Sequence, residues 1–266
     1  MIIILLILFT PAVALFIAFL YTVAEDNYGL LFNKPFYVHF YPKVKSLSVN
    51  QSYVLKEQFH YYNTLSDNKK KYFEHRVAVF ISKYEFIGKE EFLITDEVKI
   101  LIASTSVMLT FGMRNYLYSN IDKIIVYPEQ YYSTINEVYH KGEFNPRMRT
   151  IVFSWQDFKA GFEITNDNLN LGIHEFTHVL HLHGLMSDDA SAIIFSRMHN
   201  QIQKEVNHPV NKEKLISSAY FRIYAYTNRF EFLAVILEHY FESPEIFKQE
   251  FPQLYSNVSK MLNHKH

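Results

Sequence analysis

Residues 170–184, NLGIHEFTHVLHLHG, limit the possible folds of this chain more than any other stretch. They read as a largely apolar helix that must be buried, yet it carries four histidines and Glu175. Buried imidazoles and carboxylates need polar partners, and a metal ion supplies them. His174-Glu175-Phe176-Thr177-His178 matches H-E-x-x-H. Residues four apart share a helix face, so both imidazoles can reach one ion at about 2.0–2.1 Å. Glu175, beside the first ligand, is poorly placed to ligate but well placed to take a proton from water.

The remaining histidines do not complete such a site. His181 lies on the same face but seven residues beyond His174, about 10.5 Å along the axis. The extended pattern H-E-x-x-H-x-x-G-x-x-H also fails, because the chain has His181 and Gly184 at its key positions. His181 and His183 are therefore expected at the rim, at the surface, or in support of the ligands. The third ligand should come from another helix, and YAYTNRFEFLAVILEHYFESPE (224–245) is the natural source. Asn228 can cap a helix with Glu231 in its first turn, Glu238 seven residues on and Glu242 four further. Glu231 is the better candidate, but spacing alone does not separate it from Glu238.

Elsewhere the chain reads as helix-dominant α+β. Helices are expected over about 67–84 (capped by Ser66), 95–111 (capped by Thr95, stopped near Gly112), 168–183, 228–242 and 244–262. KIIVYP (123–128) and RTIVFSW (149–155) are rich in β-branched and aromatic residues and read as strands. The second is expected to hold an extended peptide as an added strand. There is no internal repeat. The absence of cysteine excludes disulfides, thiolate ligands and cysteine nucleophiles. A formal charge of −1 without a long basic run gives nucleic-acid binding no electrostatic support.

The amino terminus has no charged side chain before Glu25. Residues 2–24 would form an apolar helix of about 35 Å, enough to span a bilayer. A signal peptide normally has a positive leading segment and a shorter apolar stretch, so a retained membrane anchor is the preferred reading. Lys34, Lys43 and Lys45 follow the segment and none precedes it, which favours a cytoplasmic body. The expected organisation is an anchor at 1–24, a connector at 25–50 and a folded body at 51–266.

Several stretches in order, LSDNKKKYFEHRVAVFI, ITDEVKILIASTSVMLTFG, IVYPEQY, IVFSWQD, HEFTHVL, Tyr224–Glu245 and FPQLY, make the chain resemble the glucose-regulated zinc metallopeptidases typified by Mlc titration factor A. The likeness runs from about 60 to 257, and the Tyr224–Glu242 block is its most diagnostic part. It implies a zincin-like domain similar to the catalytic domain of anthrax lethal factor. It further implies one zinc on His174, His178 and Glu231, Glu175 as general base, and Tyr224 close to the metal. Aminopeptidase-type activity on peptides and binding of a transcriptional regulator are also implied. The chain departs from the family text at His181, where Asp is usual, and within Thr227-Asn228-Arg229-Phe230-Glu231, where TNPxE-like text is usual. The membrane segment is outside the family pattern. The expected function is peptide-bond hydrolysis by zinc-activated water. The alternative is a membrane-tethered, regulator-binding module with structural zinc, but structural sites usually have four protein ligands and only three stand out here.

Overall fold

The computed structural model describes residues 2–133, 137–163 and 166–264, with side chains from residue 10 onward. The chain begins with α1 (Ile2–Phe32), α2 (Val49–Gln58), α3 (His60–Thr64), α4 (Asp67–Lys83), β1 (Glu85–Gly88) and α5 (Asp96–Thr110). Then come β2 (Lys123–Tyr127), β3 (Tyr131–Ser133), β4 (Val138–His140), β5 (Gly142–Asn145), β6 (Thr150–Ser154) and α6 (Trp155–Glu163). The last third is helical: α7 (Leu171–Met186), α8 (Ala190–Val206), α9 (Pro209–Ser217), a 3-10 turn at Ile223–Tyr226, α10 (Arg229–Glu242), α11 (Pro244–Glu250) and α12 (Pro252–Leu262).

Four strands form one sheet in the order β1-β2-β6-β5. The first three run parallel, and β5 closes the edge antiparallel to β6. Thus β6, the strand expected to receive a peptide, is paired on both sides and cannot accept another strand. The edge nearest the histidine helix belongs to β5. A separate two-stranded sheet pairs β3 with β4.

Side-chain chemistry fixes how α7 sits on this sheet. Asn170 caps it, accepting from the Ile173 amide at 3.0 Å and donating to the Gly161 carbonyl at 2.9 Å. Phe176 is fully buried, with ring centroids 5.6 Å from Phe153 on β6, 6.0 Å from Phe80 and 6.1 Å from Tyr118. Burying this face turns His174 and His178 the other way, towards α10. Gly172 permits the approach of α6, since a Cβ there would sit 2.6 Å from the Phe158 ring. Fully buried Arg76 collects the carbonyls of Thr110, Phe111 and Met113 at the end of α5, satisfying acceptors that a helix end leaves open.

Three local expectations change. Ser66 stands at the N-cap of α4, but its side chain makes no capping bond. The helix expected over 244–262 is two helices, because Pro252 drives Phe251 out of the helical region to φ −134°, ψ 66°. The first helix continues beyond residue 24 to Phe32, so the start of the expected connector is helical. Glu25 ends its isolation by pairing with Arg114, whose guanidinium also lies 4.2 Å from the centre of the Tyr37 ring. Arg197 donates to the Gly29 carbonyl and to Asn33, tying the end of α1 to α8. Thr10–Phe32 is long and apolar enough to cross a membrane.

Candidate metal centre

Helix α10 packs along α7 and starts where the sequence places a cap. Asn228 accepts from the amides of Phe230 and Glu231, at 2.8 and 3.1 Å, setting Glu231 in the first turn. That turn faces the histidines. Ligand atoms of His174, His178 and Glu231 lie within 4.8 Å of one another. His174 Nε2 is 2.9 Å from Glu231 Oε2, and His178 Nε2 is 3.6 Å from Oε1. In a tetrahedral site with ~2.0–2.1 Å bonds, ligand atoms stand about 3.4 Å apart, so the set is close to the required spread.

One atom tests the fit further. Glu231 Oε2 is buried and accepts no hydrogen bond, although His174 Nε2 is only 2.9 Å away. An orphaned buried carboxylate oxygen is costly, and a cation between the ligands would satisfy it. The donor set of two imidazoles and one carboxylate suits zinc and leaves a position open.

His174 is held from its other side as well. Its Nδ1 lies 2.8 Å from Oε1 of Glu238, a residue that is 1% exposed. Arg222 grips the same carboxylate with two nitrogens, at 2.5 and 3.0 Å. With a metal on Nε2, this arrangement would keep the Nδ1 proton of His174 on the Glu238 side. The two glutamates that spacing could not separate therefore take different nitrogens of one imidazole. Sequence reasoning missed Arg222, for which no motif gave a signal. It treated Glu238 only as a rival ligand.

The electrostatics follow the geometry. Burial alone would lower His174, but Glu231 and Glu238 outweigh it and raise the ring to about 10. His178 is lowered to about 4 by burial and by the charge on His174. Burial pushes Glu231 up, but the two histidines bring it below the ordinary carboxylate range. Glu175 is raised to about 7, chiefly by burial, with His174 opposing and Glu231 and Glu143 reinforcing the rise. The edge strand crosses beside Glu175: a Cβ on Gly142 would sit 2.9 Å from its Cγ. Tyr224 is half exposed, its ring 6.0 Å from that of His174. Burial of its hydroxyl and the nearby Glu231 raise it to about 12.

His181 and His183 lie outside this group. His181 packs edge-on against His199, with centroids 4.6 Å apart. His183 faces Ser119 Oγ at 3.3 Å. Glu242 is remote from the three as well, on a wall shared with Asn170 and Phe241.

Residues 42–262 match the glucose-regulated metallo-peptidase M90 family. The chain belongs to that family. Among its relatives, the uncharacterized protein slr2042 of Synechocystis sp. is 24% identical over 229 residues, covering 78% of this chain and 81% of the relative. Mlc titration factor A of Salmonella paratyphi B and of Salmonella typhimurium is 30% identical over 113 residues, covering 40% of this chain and 41% of the relative. Membership in the M90 family implies a metal, most naturally zinc, and a peptide substrate. The His174, His178 and Glu231 group is the one found among the described residues that could hold a metal ion.

Proposed function

We propose that this M90 protein is a membrane-anchored zinc peptidase whose metal is held by His174, His178 and Glu231. The observation that carries the reading is the buried, unpartnered Oε2 of Glu231 facing two imidazoles. Bound there, zinc would acidify a water molecule and polarise the scissile carbonyl. The chain's own residues then do the following. Glu175, held near neutrality by burial, accepts the proton of the attacking water and passes it to the leaving amine. Tyr224, neutral at physiological pH and exposed beside His174, donates its hydroxyl to the developing oxyanion, worth about 3 kcal/mol by analogy with other such donors. Glu238 and Arg222 hold the His174 ring in place and are positioning residues.

The peptide lies along β5 in this reading. Lys141 and Ser154 are joined by a backbone bond of 2.6 Å, so by alternation Glu143 and Asn145 also bond inward. Gly142 and Phe144 then turn their amides and carbonyls outward at the free edge, next to Glu175. An extended substrate pairing there would carry its scissile bond past the general base. In this reading the domain is zincin-like, as the resemblance to the catalytic domain of anthrax lethal factor implies. The family's aminopeptidase-type activity is the first cleavage mode to assay, and the name of the Mlc titration factors points to a transcriptional regulator as a protein to offer. Residues Thr10–Phe32 would serve as the anchor, with the body on the cytoplasmic side.

The test uses the full chain in detergent, loaded with zinc, on a mixed peptide library, beside Glu175→Gln at matched zinc occupancy. Cleavage by the wild type with a loss of about 100-fold or more in the variant is expected. Zinc bound by both with cleavage by neither would sink the peptidase reading.

A further inference from the structure

A second cavity, of about 380 Å³, opens between α7, α8 and the start of α10, beside the candidate metal centre but separate from its ligands. Its volume falls in the range usual for small-molecule sites, ~300–1,000 Å³. Its chemistry differs from that of the metal centre. No aspartate or glutamate lines it among the described residues, whereas Arg229 and Lys212 do. His181 and His199 reach it from α7 and α8, each only 4% exposed, and Phe232 supplies an apolar wall.

The buried groups line it and are incompletely used. His181 lines the cavity and shows no hydrogen bond among the described residues. His199 Nε2 accepts from the Gln203 amide at 3.3 Å, which leaves its Nδ1 proton to donate. Both rings are held down to about 4, first by burial and then by neighbouring positive charge that includes Arg229. They are therefore neutral donors at neutral pH, and Arg229 and Lys212 supply the charge. The Arg229 guanidinium sits 4.9 Å from the Phe230 ring centre, and that ring packs 4.9 Å from His181. One ring thus links the cation to the imidazole. Two cations, neutral N–H donors and no anion are what a desolvated carboxylate needs for charge-assisted hydrogen bonds.

We propose that this cavity binds a carboxylate, and that it is the subsite for an acidic side chain or the C-terminal carboxylate of the peptide. Arg229 lies two residues before Glu231, and His181 three after His178, so a peptide across the metal centre can place a nearby group in the cavity. Assigning the carboxylate to a substrate rests on the peptidase reading. The preference for a carboxylate does not.

The experiment reads binding rather than turnover. The full chain in detergent, with nitrogen-labelled histidine, is titrated with three probes. Acetyl-glutamate α-amide offers only a side-chain carboxylate, acetyl-alanine only a terminal one, and acetyl-glutamine amide neither. The imidazole signals of His181 and His199 are assigned with His181→Gln and His199→Gln. Saturable shifts of both signals with at least one acid, absent with the neutral amide, are expected. Arg229→Gln should weaken that binding about tenfold or more. The acid that binds identifies the source of the carboxylate. Equal binding of the neutral amide, no shift with any probe, or an unchanged affinity in Arg229→Gln would overturn the proposal. Carboxylate binding by a chain that cleaves no peptide would instead remove the peptidase reading and leave the pocket standing.

Discussion

Helix α7 presents two histidine environments a single turn apart. His174 and His178 face carboxylates: Glu231 touches both and Glu238 holds the far nitrogen of the first. His181 faces another imidazole, a phenylalanine and the side of α10 that carries Arg229. The residue type is the same and the burial is similar. What differs is the charge across the groove, negative for the first pair and positive for the second. An imidazole becomes a cation ligand where neighbours supply negative charge, and a neutral donor where they supply positive charge.

The largest effect expected along this divide is at the third ligand. Glu231→Ala removes the carboxylate between the imidazoles, and zinc affinity should fall by more than the 10–100-fold typical of outer-shell changes. Competition with a chromogenic chelator measures this, and an unchanged affinity would remove Glu231 from the site. Next comes Glu238→Gln, expected to weaken zinc about 10–100-fold while leaving one zinc per chain. The same change leaves Arg222 and His174 without their buried anion and should destabilise the metal-free protein by up to about 3–5 kcal/mol in chemical denaturation. If the metal-free protein loses stability while zinc affinity is untouched, Glu238 only maintains the fold.

The smallest effect concerns the second pair and pH. His199 has its folded pKa depressed to about 4 from an ordinary value near 6.5. The unfolded chain then binds the extra proton between those values. The contribution of His199 to stability is thus present above about pH 6.5 and lost as pH falls towards 4. His199→Leu should flatten the pH dependence of the melting temperature in that window relative to the wild type. An identical slope would mean that His199 is not buried in a neutral state.

Much of the candidate metal centre was legible because helical spacing and capping are local. H-E-x-x-H needs only a helix, and Asn228 announces the turn that carries Glu231. The division of labour between Glu231 and Glu238 was not legible, since it depends on α10 passing both sides of one imidazole. Arg222 sits in an irregular segment, and its partner is fixed only by packing. The strands show the same limit. The β-branched run of β6 marks it as a strand, but EFIG and GEFN are too short and mixed to announce β1 and β5. Without β5, the inner strand passed for an edge. Pro244 and Pro252 each suit a helix start, and the helical spacing over 244–262 does not separate one helix from two.

The most direct test of the contrast along α7 is zinc stoichiometry and affinity for the wild type, His178→Ala and His181→Ala, measured in parallel on the full chain in detergent by titration calorimetry with elemental analysis. One zinc per chain is expected in the wild type and in His181→Ala, with affinities within about twofold, and loss of tight binding is expected in His178→Ala. Tight zinc retained by His178→Ala, or lost in His181→Ala, would contradict the assignment of the metal to the carboxylate-facing pair.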